Sequence, residues 1–370
     1  MGIAAFTFAS CNKQSLRDGG VSELSSSGGK ITVSISSGDF QTKAAHADVK
    51  DFQINKFQIF VFDSDGKLET SLYKEITPVQ ASVNATLATF TGAKTVYALV
   101  NHPRLTLKKD YPLSGFEADL TDLRNNSAGN IVMSGKNTLT VKEYDKNKNS
   151  GAGPQNLDIF VKRLPAMIVL DKITVDFTGT DLEGASFSAM ELYLKNVVGR
   201  CHYGLDGLTS SENTGVMPIP LLDADHKNQE YWYNKMTRVS GDDSPAIFDA
   251  WTANLTTSGA ESTCGRALFA YPNKESGDSH ASTFSPRKTR LVLKAHVTKG
   301  DVTGAGGVDT YYVFDLPVLQ ANTVYTVRNI TLTMLGKDND NNDDDIQAGK
   351  ITPKITVDEW SGEVGLEYDF

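Results

Sequence analysis

The residues that could do chemistry begin at the N-terminal edge, with Phe8-Ala9-Ser10-Cys11. A cysteine directly behind small residues, at the end of the apolar run Ile3–Ala9, is the pattern of a secretory signal whose Cys11 accepts lipid, as in bacterial lipoproteins. The run is too short for a membrane helix, which needs about 20 apolar residues. No Lys or Arg precedes Ile3, and Phe8 stands where such signals usually carry Leu, so the signal is expected to start upstream of Met1. The alternative is an unstructured N-terminus with an incidental cysteine. Cys201 and Cys264 remain, and their separation leaves open whether they pair in an oxidising compartment or stay as two buried thiols.

The six histidines, His46, His102, His202, His226, His280 and His296, do not cluster with a nucleophile motif. Gly-x-Ser-x-Gly, P-loop and Rossmann glycine patterns are missing, as are Cys-x-x-Cys and His-x-x-x-His, so neither an enzyme nor a zinc protein is expected. His296 lies in a strand pattern and reads as structural; His102, beside Pro103, reads as part of a turn. Asp338, Asp340 and Asn342 have the spacing of an EF-hand start, but Asp343 takes the place of the turn glycine and Gly349 that of the bidentate Glu. That leaves a looser calcium loop or a solvated acidic loop, and no metal or cofactor is assigned. Tyr231, Trp232 and Tyr233 in "EYWYNKM" could form a sugar-binding patch or pack against a sheet. The net charge of −9 without a basic stripe argues against nucleic acid as a partner.

The elements that would position these residues are strands. With 370 residues and 39% hydrophobic content, two or three cores are affordable. Residues 12–30 are rich in Ser and Gly and read as a flexible tether. Then "KITVSIS" alternates Ile31, Val33 and Ile35 with polar residues, the period of a half-buried strand. Phe57–Phe62 follows as a strand core, turned at Asp63–Gly66, and Thr95–Val100 after a turn at Gly92. "NLDIFVKRLPAMIVLDKITVDF" reads as two strands broken near Leu164-Pro165. Past the polar stretch "TGTDLEGA", a candidate boundary, the same strand grammar runs to the end of the chain. Helix is minor: Phe116, Leu120 and Leu123 have helical spacing, and "SPAIFDAWTANL" reads as a second short helix capped by Ser244. The pattern is all-β, of the sandwich kind.

In order and spacing, "FASC", "FQIFVFDSDGKL", "KTVYALVNHP", "IVMSGK", "VKRLPAMIVL", "TRLVLKAHV", "YYVFDLPVLQANTVYTVRNITLTMLG" and "ITVDEW" resemble the major fimbrillin (FimA-like) family, the type V pilins of Gram-negative anaerobes. The resemblance spans nearly the whole chain and implies two β-sandwich domains with transthyretin-like topology and few short helices. On it the chain divides into a signal and tether (1–29), an N-terminal sandwich (30–180) and a C-terminal sandwich (181–370). It implies export to the outer membrane as a lipoprotein precursor, then proteolysis that removes a first strand, here 30–43 with core face Ile31, Val33 and Ile35. The family's cut follows a basic residue, usually Arg; here the only one in that loop is Lys43, before Ala44, and the alternative is an ordinary loop lysine.

A strand from the next subunit would fill the groove, expected from 351–370 with Ile355, Val357 and Trp360 as its apolar face. Loss of what is pictured as an edge strand would leave unpaired backbone beside an open core. Donor and acceptor surfaces differ, so the contact is head-to-tail and builds an open filament. The implied partners are identical or related pilins, the lipid anchor, a processing protease and a host or bacterial surface receptor. The implied role is a shaft pilin supporting adhesion. The alternatives are an anchor or tip subunit of the same fimbria, or a glycan-binding surface lipoprotein.

Overall fold

The computed structural model describes residues 28–37, 53–126, 129–143, 154–195, 197–204, 232–233, 253–255, 260–274, 288–338, 355–359 and 362–367. In the N-terminal part, β1 (Gly28–Ser36), β2 (Ile54–Phe62), β3 (Leu68–Gln80), β4 (Ser82–Phe90) and β5 (Gly92–Val100) precede helix α1 (Leu113–Ala118). β6 (Leu120–Asp122), β7 (Met133–Val141), β8 (Gln155–Phe160) and β9 (Lys162–Arg163) follow. One sheet has three strands in the order β4-β1-β8, and another has five, β3-β2-β5-β7-β9. Between them lies a core of Ile31, Val33, Ile35, Phe57, Ile59, Val61, Val96, Ala98 and their neighbours.

From Phe57 to Phe62 β2 is buried on both faces, which explains why that stretch is apolar at every position except the buried Gln58. Phe57, Ile59 and Val61 face the three-stranded sheet, while Phe60 and Phe62 join a second, larger core. That core is shared with the C-terminal part. There, β10 (Ala166–Val175), β11 (Ser186–Lys195), β12 (Val197–Val198), β13 (Arg200–His202), β14 (Trp232–Tyr233), β15 (Ala253–Leu255) and β16 (Ala260–Ala270) lead to β17 (Arg290–Thr298) and β18 (Val308–Asp315). β19 (Thr323–Val327), β20 (Ile330–Leu332), β21 (Ile355–Glu359) and β22 (Gly362–Glu367) complete the order. The sheets are β16-β10-β19-β21-β22, with β20 also on β10, and β15-β11-β17-β18.

Several expectations change. The sheets do not divide after residue 180: β10 pairs with β16, β19 and β20, all C-terminal to it, so the chain changes sheets at Leu164-Pro165. The proline that reads as a strand break is the crossing point, where a residue lacking N–H costs no ladder bond. The helix expected through Leu123 stops at Ala118, because Leu120–Asp122 pairs with Arg200–His202 as β6 with β13. At the end of "SPAIFDAWTANL", Ala253–Leu255 is a strand on β11, not helix; the rest of that stretch lies outside the described residues.

Candidate functional site

β1 is where the expected chemistry of assembly can be tested against geometry. It begins at Gly28, not Lys30, so the last two residues assigned to the tether belong to the strand. It is the middle strand of its sheet, not an edge. It runs antiparallel to β4 from Gly28↔Phe90 to Ser36↔Ser82, and parallel to β8 from Ile31↔Gln155 to Ser36↔Phe160. The parallel ladder continues as Val161 N–H donates to Ser36 O (2.9 Å). The far end closes on Ser37, whose N–H and hydroxyl both donate to Ala81 O. The strict alternation reflects the single face that β1 turns to the core.

Ile31, Val33 and Ile35 are each 0% exposed. They pack in one cluster with Val83, Ala85 and Leu87 of β4, Leu157 and Ile159 of β8, and Phe57, Ile59 and Val61 of β2. Burying three such side chains contributes roughly 5–9 kcal/mol before ordering costs. The opposite face is small and polar, with Thr32 and Thr86 hydroxyls 2.9 Å apart. Lifting β1 out would therefore open a slot with an apolar floor and a hydrogen-bonding strand on each side.

The beginning of the slot is tight and fixed. A Cβ on Gly29 would overlap Val141 Cγ1 and lie 3.1 Å from Lys142 O and 3.6 Å from Thr89 O. Beside it, Glu69 Oε2 meets Lys94 Nζ at 2.5 Å, with the two side chains only 9% and 4% exposed. Glu69 Oε1 also accepts from Phe90 N–H (2.6 Å) and the Thr89 hydroxyl. A glycine inside a strand signals close approach of other atoms. That signal was present in "GGKITV" but was absorbed into the tether reading.

The expected donor residues Ile355 and Val357 lie in β21, which pairs with β19 of this chain's own sheet on one side and β22 on the other. Their strand character is as expected; their place is a seat at home rather than an extended tail. Cys11, Lys43, Ala44 and Trp360 lie outside the described residues. So do Asp340, Asn342, Asp343, Gly349 and Tyr231. Trp232 and Tyr233 form β14 against Val197 and Val198. Cys201 is buried, its thiol on His202 O (3.2 Å). Among the described residues no three His, Cys, Asp or Glu side chains gather as metal ligands.

Two histidines with expected structural roles have defined surroundings. His296 Nδ1 lies 2.8 Å from Asp309 Oδ1, and this contact helps hold the Asp309 carboxyl below its ordinary range. His102 is buried, edge-on to Tyr203 at 5.5 Å, and burial holds its pKa below 6.5. His46, His226 and His280 lie outside the described residues.

The part of the chain that builds the slot also carries the decisive match. Residues 30–168 fit the model of the family described as major fimbrial subunit protein (FimA). The fimbrial-subunit match ends three residues past Pro165, close to where the chain changes sheets. A Parabacteroides distasonis protein provisionally named fimbrium tip subunit Fim1C is 25% identical over 275 residues, 66% of this chain and 72% of that protein. The fold is shared with a fimbrilin (FimA) of Porphyromonas gingivalis, at TM-score 0.55 and 17% identity over 90% of this chain and 98% of that one. It is also shared with a Bacteroides eggerthii protein assigned provisionally to cell adhesion, at TM-score 0.57 and 14% identity, covering 90% and 97%.

Proposed function

We propose that this fimbrial subunit is a shaft pilin assembled by strand exchange. It is made as a lipoprotein precursor anchored through Cys11, cut between Lys43 and Ala44, and polymerised when a C-terminal segment of one copy replaces β1 of the next. The observation that carries the reading is the setting of β1. It is a whole middle strand with three fully buried apolar side chains, followed by residues 38–52 that contain Lys43 and Ala44. While β1 is tethered, its high effective concentration keeps competitors out; once cut free, it can be displaced by a strand of equal quality. Nicking concentrates in exposed loops of small polar residues, and "SGDFQTKAAHAD" has that composition.

The test is electron microscopy of the full chain before and after limited trypsin digestion, with N-terminal sequencing of what assembles. Filaments that appear only after clipping, with chains starting at Ala44, support the proposal. Filaments whose chains retain Ile31–Ile35 contradict it.

A second reading, a tip subunit, is favoured by the similarity to the fimbrium tip protein of P. distasonis. A tip accepts or donates a strand at one end only. Mixed with clipped shaft subunits it would cap growth, whereas a shaft subunit extends on its own.

A further inference from the structure

We infer that the full chain, with β1 in place, pairs with a second copy through the outer face of β4-β1-β8, about a two-fold axis that passes over Thr32. The inference does not depend on strand exchange. The outward residues of these three strands are small or polar and uncharged, with four exceptions: Lys30 on β1, Phe90 on β4, and Asp158 and Phe160 on β8. Phe160 is 70% exposed and Phe90 44%, and Asp158 is exposed as well. Strand register fixes where they stand. Phe90 lies opposite Gly28 and Phe160 opposite Ser36, so they occupy diagonal corners of the face, and the line between them crosses β1 at Thr32. At about 3.3 Å per residue and about 4.8 Å between strands, these corners are about 26 Å apart along β1 and about 10 Å apart across it.

A face with its two large apolar groups on one diagonal is self-complementary. In a two-fold contact, residue i meets j and j meets i. The axis that lies in the face, perpendicular to the diagonal, sets Phe160 on Phe90 of the second copy, and Phe90 on its Phe160. That choice leaves nothing to adjust, yet it also pairs the charges. Asp158 lies opposite Ser34, and the same rotation carries Lys30 of the second copy to within about 2 Å of it in the plane of the sheet. Each contact occurs twice, giving two aromatic pairs and two ion pairs. Lys30 and Asp158 are the sole charges among the outward residues of the three strands, so no like charges are brought together.

The hand of the sheet agrees. Ser36 faces outward and its carbonyl accepts from Val161 N–H, so, seen from outside with β1 running upward, L-residue chirality places β8 on the right. Phe160 is then upper right and Phe90 lower left, the two corners that right-handed strand twist draws back from the viewer. The gap between two such faces is widest where the phenylalanines stand and narrower at the centre, where Thr32 and Thr86 are small. The strands of the two copies cross at about 40°, with the nearer set turned clockwise. That is the sense, and close to the size, of the angle of about −30° at which twisted sheets pack face to face. The face covers roughly 400 Å², about half of what each partner of a standard interface contributes, so the dimer is weak and reversible.

Sedimentation velocity of the full chain, under reducing conditions and across a concentration series, tests this. The parent should pass reversibly from monomer to dimer. Lys30→Asp and Asp158→Lys should each weaken self-association tenfold or more, because each sets like charges together twice. An equimolar mixture of the two variants should dimerise again, since both ion pairs are then restored with their signs exchanged. Phe160→Ser should weaken the parent dimer about tenfold. A parent that stays monomeric at every concentration overturns the inference. So does a dimer that both charge variants retain, or a mixture that stays monomeric while both variants melt like the parent.

Discussion

Lys94 and Glu69 meet beside the first residues of β1, deep enough that neither is screened by water. A buried pair of this kind stabilises little against an apolar replacement, but breaking it leaves one charge stranded. Glu69→Ala is therefore expected to cost about 3–5 kcal/mol in urea unfolding, and the double change Glu69→Leu with Lys94→Met to recover most of it. His102 is the acid-sensitive counterpart. Burial keeps its folded pKa below 6.5, with Lys56 adding to the effect and its hydrogen bond to Pro103 O opposing it. As pH falls, the unfolded chain takes up this proton first. The His102 contribution is thus complete above about pH 6.5 and lost progressively below it, down to the folded pKa. His102→Gln should flatten that portion of a stability–pH curve; an unchanged slope would show that other groups set it.

At the scale of elements, β1 draws its stability from being in the middle. Ile35→Ala should destabilise the precursor by about 2–5 kcal/mol, read by chemical denaturation. The same change should leave a clipped chain that has shed β1 unaffected. Much of this element was legible, because Ile31, Val33 and Ile35 alternate without interruption. Its neighbours were not. β4 alternates as cleanly in burial, but its inward set includes Ala85 and its outward set Asn84 and Thr86, too small a contrast to announce a strand. Position in the sheet was also hidden, since a parallel partner such as β8, more than a hundred residues on, leaves no local mark. Gly29 was misread because flexibility and close packing use the same residue, and only Val141 across the gap tells which applies. The helix through Leu123 failed for a similar reason: its 3.6-residue spacing is real, but pairing of β6 with β13 overrode it.

At the scale of the molecule, the two halves are joined by more than a linker. Asn126 Nδ2 donates to Tyr271 Oη (3.0 Å), which donates to Asp122 O (3.1 Å). Arg163, fully buried, donates through its backbone N–H and Nη1 to Asn322 Oδ1 (3.1 and 3.3 Å). Phe60, Phe62, Tyr97 and Phe116 share a core with Leu170, Leu293 and Val324. Both halves are thus expected to unfold in one calorimetric transition, and Tyr271→Phe, which strands the Asp122 carbonyl, to lower its stability by about 1–3 kcal/mol. Two resolved transitions would show that the shared core does not couple them.

The two ladders around β1 have a mechanical consequence. The strand is matched to β4 over nine residue pairs and to β8 over six. Whatever occupies that slot and is tugged along its own length loads both rows of hydrogen bonds in shear, so they must give way together. Peeled from one end, the same bonds would open singly, like a zipper. A fibre whose joints are all loaded in shear resists flow by how slowly a joint slips, a rate rather than an equilibrium, as in forced unfolding. If the chain assembles by strand exchange as proposed, that rate would set how long a filament holds under flow.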